Sequence, residues 1–119
     1  MRPPRQALGA AGEAAAAGAL AAAGYEILGR NLRTPFGEVD LLARQGEVLC
    51  FVEVKTRSSD AFGHPAEAVT PAKQANLRRS AAFLLRARRW EGPCRFDVVA
   101  VLPGPGGGFR TEILPDAFQ

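Results

Sequence analysis

The run from Gly37 to Thr56 constrains this fold more than any other part of the chain. It reads Gly-Glu-Val-Asp-Leu-Leu-Ala, then Arg-Gln-Gly-Glu, then Val-Leu-Cys-Phe-Val-Glu-Val-Lys-Thr. Two apolar runs on either side of turn residues predict an antiparallel hairpin. Charges inside such strands are costly to bury unless they are paired or used, so Asp40, Glu53 and Lys55 need a reason. Strand alternation puts Asp40 on one face with Glu38 and Leu42, and Glu53 and Lys55 on one face with Leu49 and Phe51. Closing the hairpin about Gln45-Gly46 places Asp40 opposite Phe51 and diagonal to Glu53, roughly 7–8 Å away. A one-residue slip would put the two acids on opposite faces.

Two carboxylates beside a lysine suit metal-assisted phosphodiester hydrolysis. Asp40, Glu53 and the backbone carbonyl of Val54 are expected to bind Mg²⁺, with Mn²⁺ as a substitute, because such ions take a few carboxylates and keep waters for a phosphate. Lys55 is expected to position or deprotonate the attacking water, or to offset charge in the transition state. Spacing alone also admits a plain alternative, a solvated strand pair with Asp40 as a surface charge.

Length and charge narrow the setting. The 119 residues fit one domain spanning 1–119, with its core at about 6–114. The Ala-rich stretch from Ala10 to Ala23 is interrupted by Glu13 and glycines and is too weakly apolar for a membrane span. The N-terminus has no clear secretory signal, so a reducing cytoplasmic compartment without membrane attachment is the expectation. Cys50 and Cys94 lack metal or redox spacing, and Cys50 is expected to be a small core residue. The net charge is +3, and of the 15 basic residues only Lys55 and Lys73 are lysines. A lysine kept in an arginine-biased chain invites a chemical reason, since the two are not interchangeable in a site.

The remaining pattern fills in around the hairpin. A helix is predicted from about Gln6 to Ala23, with Gly24 as its stop and Glu13 on or near its inward stripe with Ala17 and Leu20. Tyr25 to Asn31 reads as a strand and Leu32 to Phe36 as a connector. The polar run 57–70 reads as a loop carrying His64. Thr70-Pro71 opens a helix to about Trp90, with Leu77, Ala81, Leu84 and Leu85 inward and Lys73, Asn76 and Ser80 along a polar edge. Strands are predicted at Arg95–Leu102 and Phe109–Leu114, with an irregular tail from Pro115. The order α-β-β-β-α-β-β predicts an α/β fold.

The segments Gly12-Glu13, Gly24-Tyr25, Arg30-Asn31, Gly37-Glu38-Val39-Asp40, Phe51-Val52-Glu53-Val54-Lys55-Thr56-Arg57, Lys73 and Arg95-Phe96-Asp97-Val98 together resemble the YraN-like family of small bacterial proteins. The set Glu13, Asp40, Glu53 and Lys55 resembles the PD-(D/E)XK nuclease superfamily, and archaeal Holliday-junction resolvases most of all. Val39 stands where a literal Pro-Asp motif has proline. The resemblance implies a restriction-endonuclease-like core, a mixed sheet of about five strands flanked by helices. It also implies metal-site roles for Glu13, Asp40 and Glu53, a catalytic role for Lys55, DNA as the partner, and a homodimer by analogy with the resolvases. Glu38 is either a metal helper or a solvated charge.

The arginine-rich helix fits this reading. Arg57, Lys73, Arg78, Arg79, Arg86 and Arg89 are expected to contact phosphate oxygens. No aromatic ladder accompanies them, so recognition is expected to follow backbone and shape. Two other functions stay open on the sequence: a nucleic-acid-binding module that keeps the fold without turnover, and a protein adaptor using the basic helix.

Overall fold

A computed structural model of the chain describes residues 5–57 and 69–119. His64 and most of the predicted polar loop lie outside the described residues. The elements run α1 (Arg5–Ala22), β1 (Glu26–Thr34), β2 (Gly37–Gln45), β3 (Val48–Thr56), α2 (Pro71–Ala87), β4 (Cys94–Pro103) and β5 (Phe109–Phe118), with a 3₁₀ turn at Pro105–Gly107. The five strands form one mixed sheet in the order β1-β2-β3-β4-β5. The β3–β4 pair is parallel and the other three pairs are antiparallel. A parallel neighbour needs a long crossover connection, and α2 lies in it.

The central strand is covered on both faces. Cys50 and Val52 point into a core with Leu41, Ala43, Val99 and Val101 under Ala16, Ala17 and Leu20 of α1. Leu49 and Phe51 point into the other core, with Leu42 and Val98 under Leu77, Ala81 and Leu84 of α2. Cys50 is fully buried, as its mid-strand position predicts, and burial pushes its thiol pKa up to about 11.

Four boundaries differ from the sequence reading, each for a local reason. The hairpin closes on a two-residue Gly46-Glu47 turn, with Gln45 opposite Val48 and Leu42 opposite Phe51. Gly46 takes φ +59°, the left-handed conformation that tight hairpin turns place on glycine. Relative to the expected register the strands slip by two residues, which preserves the faces. Asp40 therefore comes into line with Glu53 itself and not with Phe51. The segment Leu32–Thr34, expected as a connector, continues β1 and pairs with Gly37–Val39. Thr34 closes this turn: its hydroxyl accepts the Phe36 N–H at 3.1 Å and donates to the Gly37 carbonyl at 2.9 Å.

Helix α2 stops at Ala87 and not at Trp90. Arg89 adopts φ +53°, while Arg89 N–H donates to the Arg86 carbonyl and Trp90 N–H to the Leu85 carbonyl. This is the Schellman arrangement with an arginine in the usual glycine position. Strand β5 runs through Pro115 to Phe118 because it is an edge strand, where a missing N–H is tolerated. Its far end is held by stacked Phe96 and Phe118 rings, 5.0 Å between centroids.

A buried polar cluster ties the α1–β1 connection, β2, β4 and β5 together. The Asp97 side chain is fully buried and accepts hydrogen bonds from Arg95 Nε (2.8 Å) and Nη2 (2.9 Å), Tyr25 Oη (3.2 Å) and Asp116 N (2.9 Å). Arg95 Nη2 also donates to Gln45 Oε1 at 2.8 Å. Burial and the Asp97 charge raise the Tyr25 pKa to about 12. A carboxylate whose acceptor sites are filled in this way holds the fold together and is not available for chemistry.

Candidate active site

The site grows from a fork in the sheet. Pairing between β2 and β3 extends from Gln45–Val48 to Leu41–Val52 and stops there, while β3 stays paired to β4 through Thr56. At the point of divergence the Asp40 side chain takes the place of a backbone partner, its Oδ2 accepting the Val54 N–H at 2.9 Å. A buried N–H must find an acceptor, and here that requirement holds a carboxylate in the fork. The Val54 N–H is thereby committed to Asp40, on the residue whose carbonyl is the expected ligand.

Two more acids converge on Asp40. Ligand oxygens of Glu13, Glu38 and Asp40 all lie within 4.8 Å of one another. Glu13 comes from α1, which can approach β3 closely because position 12 is glycine: a Cβ there would collide with the Thr56 hydroxyl. Glu38 comes from β2, one side-chain period before Asp40. Three carboxylates at this spacing match the oxygen donor set that hard divalent cations prefer.

Glu53 stands beside the cluster and faces α2. It is buried, at 3% exposure, and its Oε1 is engaged by Lys73 from α2 and by Lys55 at 3.6 Å. Burial and the Glu53 charge, with a smaller contribution from Glu13, push the Asp40 pKa from 3.8 up to about 7 against the opposing Val54 N–H and Lys73. Lys55 shifts the other way. Burial and the adjoining Lys73 ammonium lower its pKa, although Glu53 favours its charged form. For Lys73, burial is outweighed by the contacts with Glu53 and Lys55, and its pKa rises. Of the two lysines, Lys55 is therefore the one disposed to give up a proton.

The basic positions separate by contact. Arg78 is committed to the chain terminus: its Nε donates to the Gln119 carbonyl at 2.6 Å, its Nη2 to Gln74 Oε1 at 3.3 Å, and its guanidinium lies 5.9 Å from the Phe118 ring centre. Arg79, Arg86 and Arg89 are exposed, and Arg57 is half-buried beside the end of β3. The predicted polar edge of α2 is present. Lys73, Asn76 and Ser80 line a cavity of about 140 Å³ with Phe36, Gly37, Glu38 and Leu77. Ser80 is buried, with its hydroxyl 2.7 Å from that of Thr34. The Thr34 proton goes to Gly37, so Ser80 is the donor, and α2 is thereby fixed to the turn that carries Glu38.

The model of the uncharacterised protein family UPF0102 matches residues 12–101. The chain belongs to this family. It is 53% identical over 113 residues to a UPF0102 protein of Symbiobacterium thermophilum, covering 94% of this chain and 96% of the relative. A UPF0102 protein of Moorella thermoacetica is 55% identical over 98 residues, 82% of each chain. One from Beutenbergia cavernae is 54% identical over 111 residues, 92% of this chain and 94% of that one. The UPF0102 match spans Glu13, Glu38, Asp40, Glu53, Lys55 and Lys73, and hence the whole candidate site, and leaves β5 outside. Among these UPF0102 site residues, Glu38 is the one that strand alternation left undecided and the fork brings into the cluster.

Proposed function

We propose that this protein is a Mg²⁺-dependent DNA endonuclease of the PD-(D/E)XK type, with Mn²⁺ able to replace Mg²⁺, acting on branched or junction DNA in repair or recombination. The observation that carries the reading is the fork: three carboxylates within 4.8 Å where Asp40 takes the Val54 N–H, with Lys55 alongside on β3. The donor set fits the ion on chemical grounds, because a carboxylate whose proton is retained to about pH 7 through burial and neighbouring negative charge gains most from a nearby cation. Asp40, Glu13 and Glu38 would hold it, with Glu53 close at hand. When bound, the ion supplies Lewis-acid polarisation of a phosphodiester and a water of lowered pKa.

The chain's own residues do the rest. Lys55, with its proton loosened by burial and by Lys73, accepts a proton from the attacking water at Nζ. Glu53 orients Lys55 through their ion pair. Lys73 and the exposed Arg79, Arg86 and Arg89, with Arg57, supply positive charge for the phosphate backbone. A junction presents two symmetric cuts, which a homodimer would match with two sites.

The test is a panel of labelled duplex, flap and junction DNAs, with RNA counterparts, incubated with purified protein in Mg²⁺, Mn²⁺ or EDTA, with Lys55→Ala as control. Cleavage that needs metal and Lys55 is expected. Cleavage in EDTA, cleavage undiminished by Lys55→Ala, or no product from any substrate overturns the proposal. A second reading rests on the engagement of Glu53 by Lys73, which draws that carboxylate toward α2. It predicts a binding module, recognised by salt-sensitive DNA binding with no product.

A further inference from the structure

The stripe Arg79, Ala82, Phe83 and Arg86 follows the i, i+3, i+4, i+7 spacing of one helix face. With Pro35 and Phe36 from the β1–β2 turn it lines a groove of about 330 Å³. Phe36 and Phe83 are unusually open for phenylalanines, at 46% and 42% exposure. The Arg79 and Arg86 side chains make no ion pair or hydrogen bond among the described residues, and no acid is among the groove's lining residues. Phe36 also walls the smaller cavity that holds Glu38 and Lys73. The Phe36 ring is thus a wall common to the groove and to the cavity that Glu38 lines.

From this juxtaposition we infer that the groove binds an unpaired nucleotide of a nucleic-acid strand, its base on Phe36 and Phe83 and its flanking phosphates on Arg79 and Arg86. Both halves of the ligand are needed to explain the surface. Aromatic faces alone suit many apolar groups, but two cations with no acid between them call for a polyanion. A second copy of this chain, docked face to face, would bring four guanidiniums together without a counter-charge. A base inside a duplex has its faces stacked and does not reach a ring, whereas an unpaired base offers a π-face of any sequence. The inference rests on the proposed nuclease reading for its consequence: the strand next to the scissile phosphodiester is single-stranded, as at a flap or a fork.

The test is direct and needs no cleavage. Binding of a fluorescent single-stranded oligonucleotide and of a duplex of equal length is measured by anisotropy in EDTA, for wild type and for Phe36→Leu, Phe83→Leu and Arg79→Gln/Arg86→Gln. The leucines keep apolar bulk and remove the π-face. Each is expected to weaken single-strand binding about tenfold and to leave duplex binding within about twofold. The double arginine variant is expected to flatten the single-strand salt dependence by about 1.4 logarithmic units per decade, two phosphate contacts' worth. A 2-aminopurine base in the strand is expected to lose fluorescence on binding wild type and to keep it on Phe83→Leu.

Equal single-strand affinity in wild type and both leucine variants overturns the inference, and so does equal weakening of single strand and duplex. A dimer in sedimentation that Phe83→Leu dissociates also overturns it and assigns the groove to a second copy. These outcomes are independent of the cleavage panel. Cleavage with Phe-independent binding leaves the nuclease reading standing without the groove, and Phe-dependent binding without cleavage leaves the groove standing without the nuclease.

Discussion

Replacing Asp40 by Asn isolates the electrostatic load that the fork places on one carboxylate. The amide keeps an oxygen for the Val54 N–H, 2.9 Å away in the native protein, and removes the charge. The aspartate pKa rises from 3.8 to about 7 on folding, through burial and then the Glu53 charge. Between those values the folded protein retains a proton that the unfolded chain has lost. The stabilisation is thus complete below about pH 4 and is lost as pH rises through about 7. About three units at 1.36 kcal/mol each set an upper bound of about 4 kcal/mol. In urea melts with EDTA, Asp40→Asn is expected to exceed wild type by about 2–4 kcal/mol more at pH 8.5 than at pH 4. A difference between the two proteins that does not change with pH, or a wild type gaining on the variant toward pH 8.5, refutes the reasoning.

Three further outcomes follow from the fold. Arg95→Met leaves the fully buried Asp97 carboxylate without its cation, and a loss of about 3–5 kcal/mol in chemical denaturation is expected. Arg89→Gly relieves a left-handed residue at the end of α2 and is expected to raise stability by about 0.5–1 kcal/mol in the same assay. Thiol titration of the native protein is expected to label exposed Cys94 and spare buried Cys50, with both reacting in denaturant.

The α/β class and the order of its elements were legible because each element carries its own period: alternation in β2 and β3, a helical stripe with a Thr-Pro start in α2. The two-residue change of hairpin register was not legible. The turn run Arg-Gln-Gly-Glu closes equally well about either of two centres until the strands' other partners choose one. The extension of β5 past Pro115 was hidden for a related reason, because proline reads as a strand breaker unless the strand is known to be an edge. Within the site, Asp40, Glu53 and Lys55 stood out as charges in apolar strands. Glu38 did not, since a turn-proximal glutamate has the same pattern whether it faces solvent or an acid cluster. Phe36 and Phe83 were missed as a pair for the plainest reason. They are far apart in the chain, and only the attachment of α2 to the β1–β2 turn through Ser80 and Thr34 brings their neighbourhoods together.

The nuclease proposal requires the fork between β2 and β3 to hold a divalent cation on Asp40. Mn²⁺ binding, followed by the loss of the free-ion EPR signal at pH 8, above the raised Asp40 pKa of about 7, is the measurement that decides it. One site per chain is expected, weakened about tenfold or more by Asp40→Asn and by Glu13→Gln, and unchanged by Arg79→Gln. Mn²⁺ binding of equal strength in wild type and Asp40→Asn, or no binding to the wild type, contradicts it.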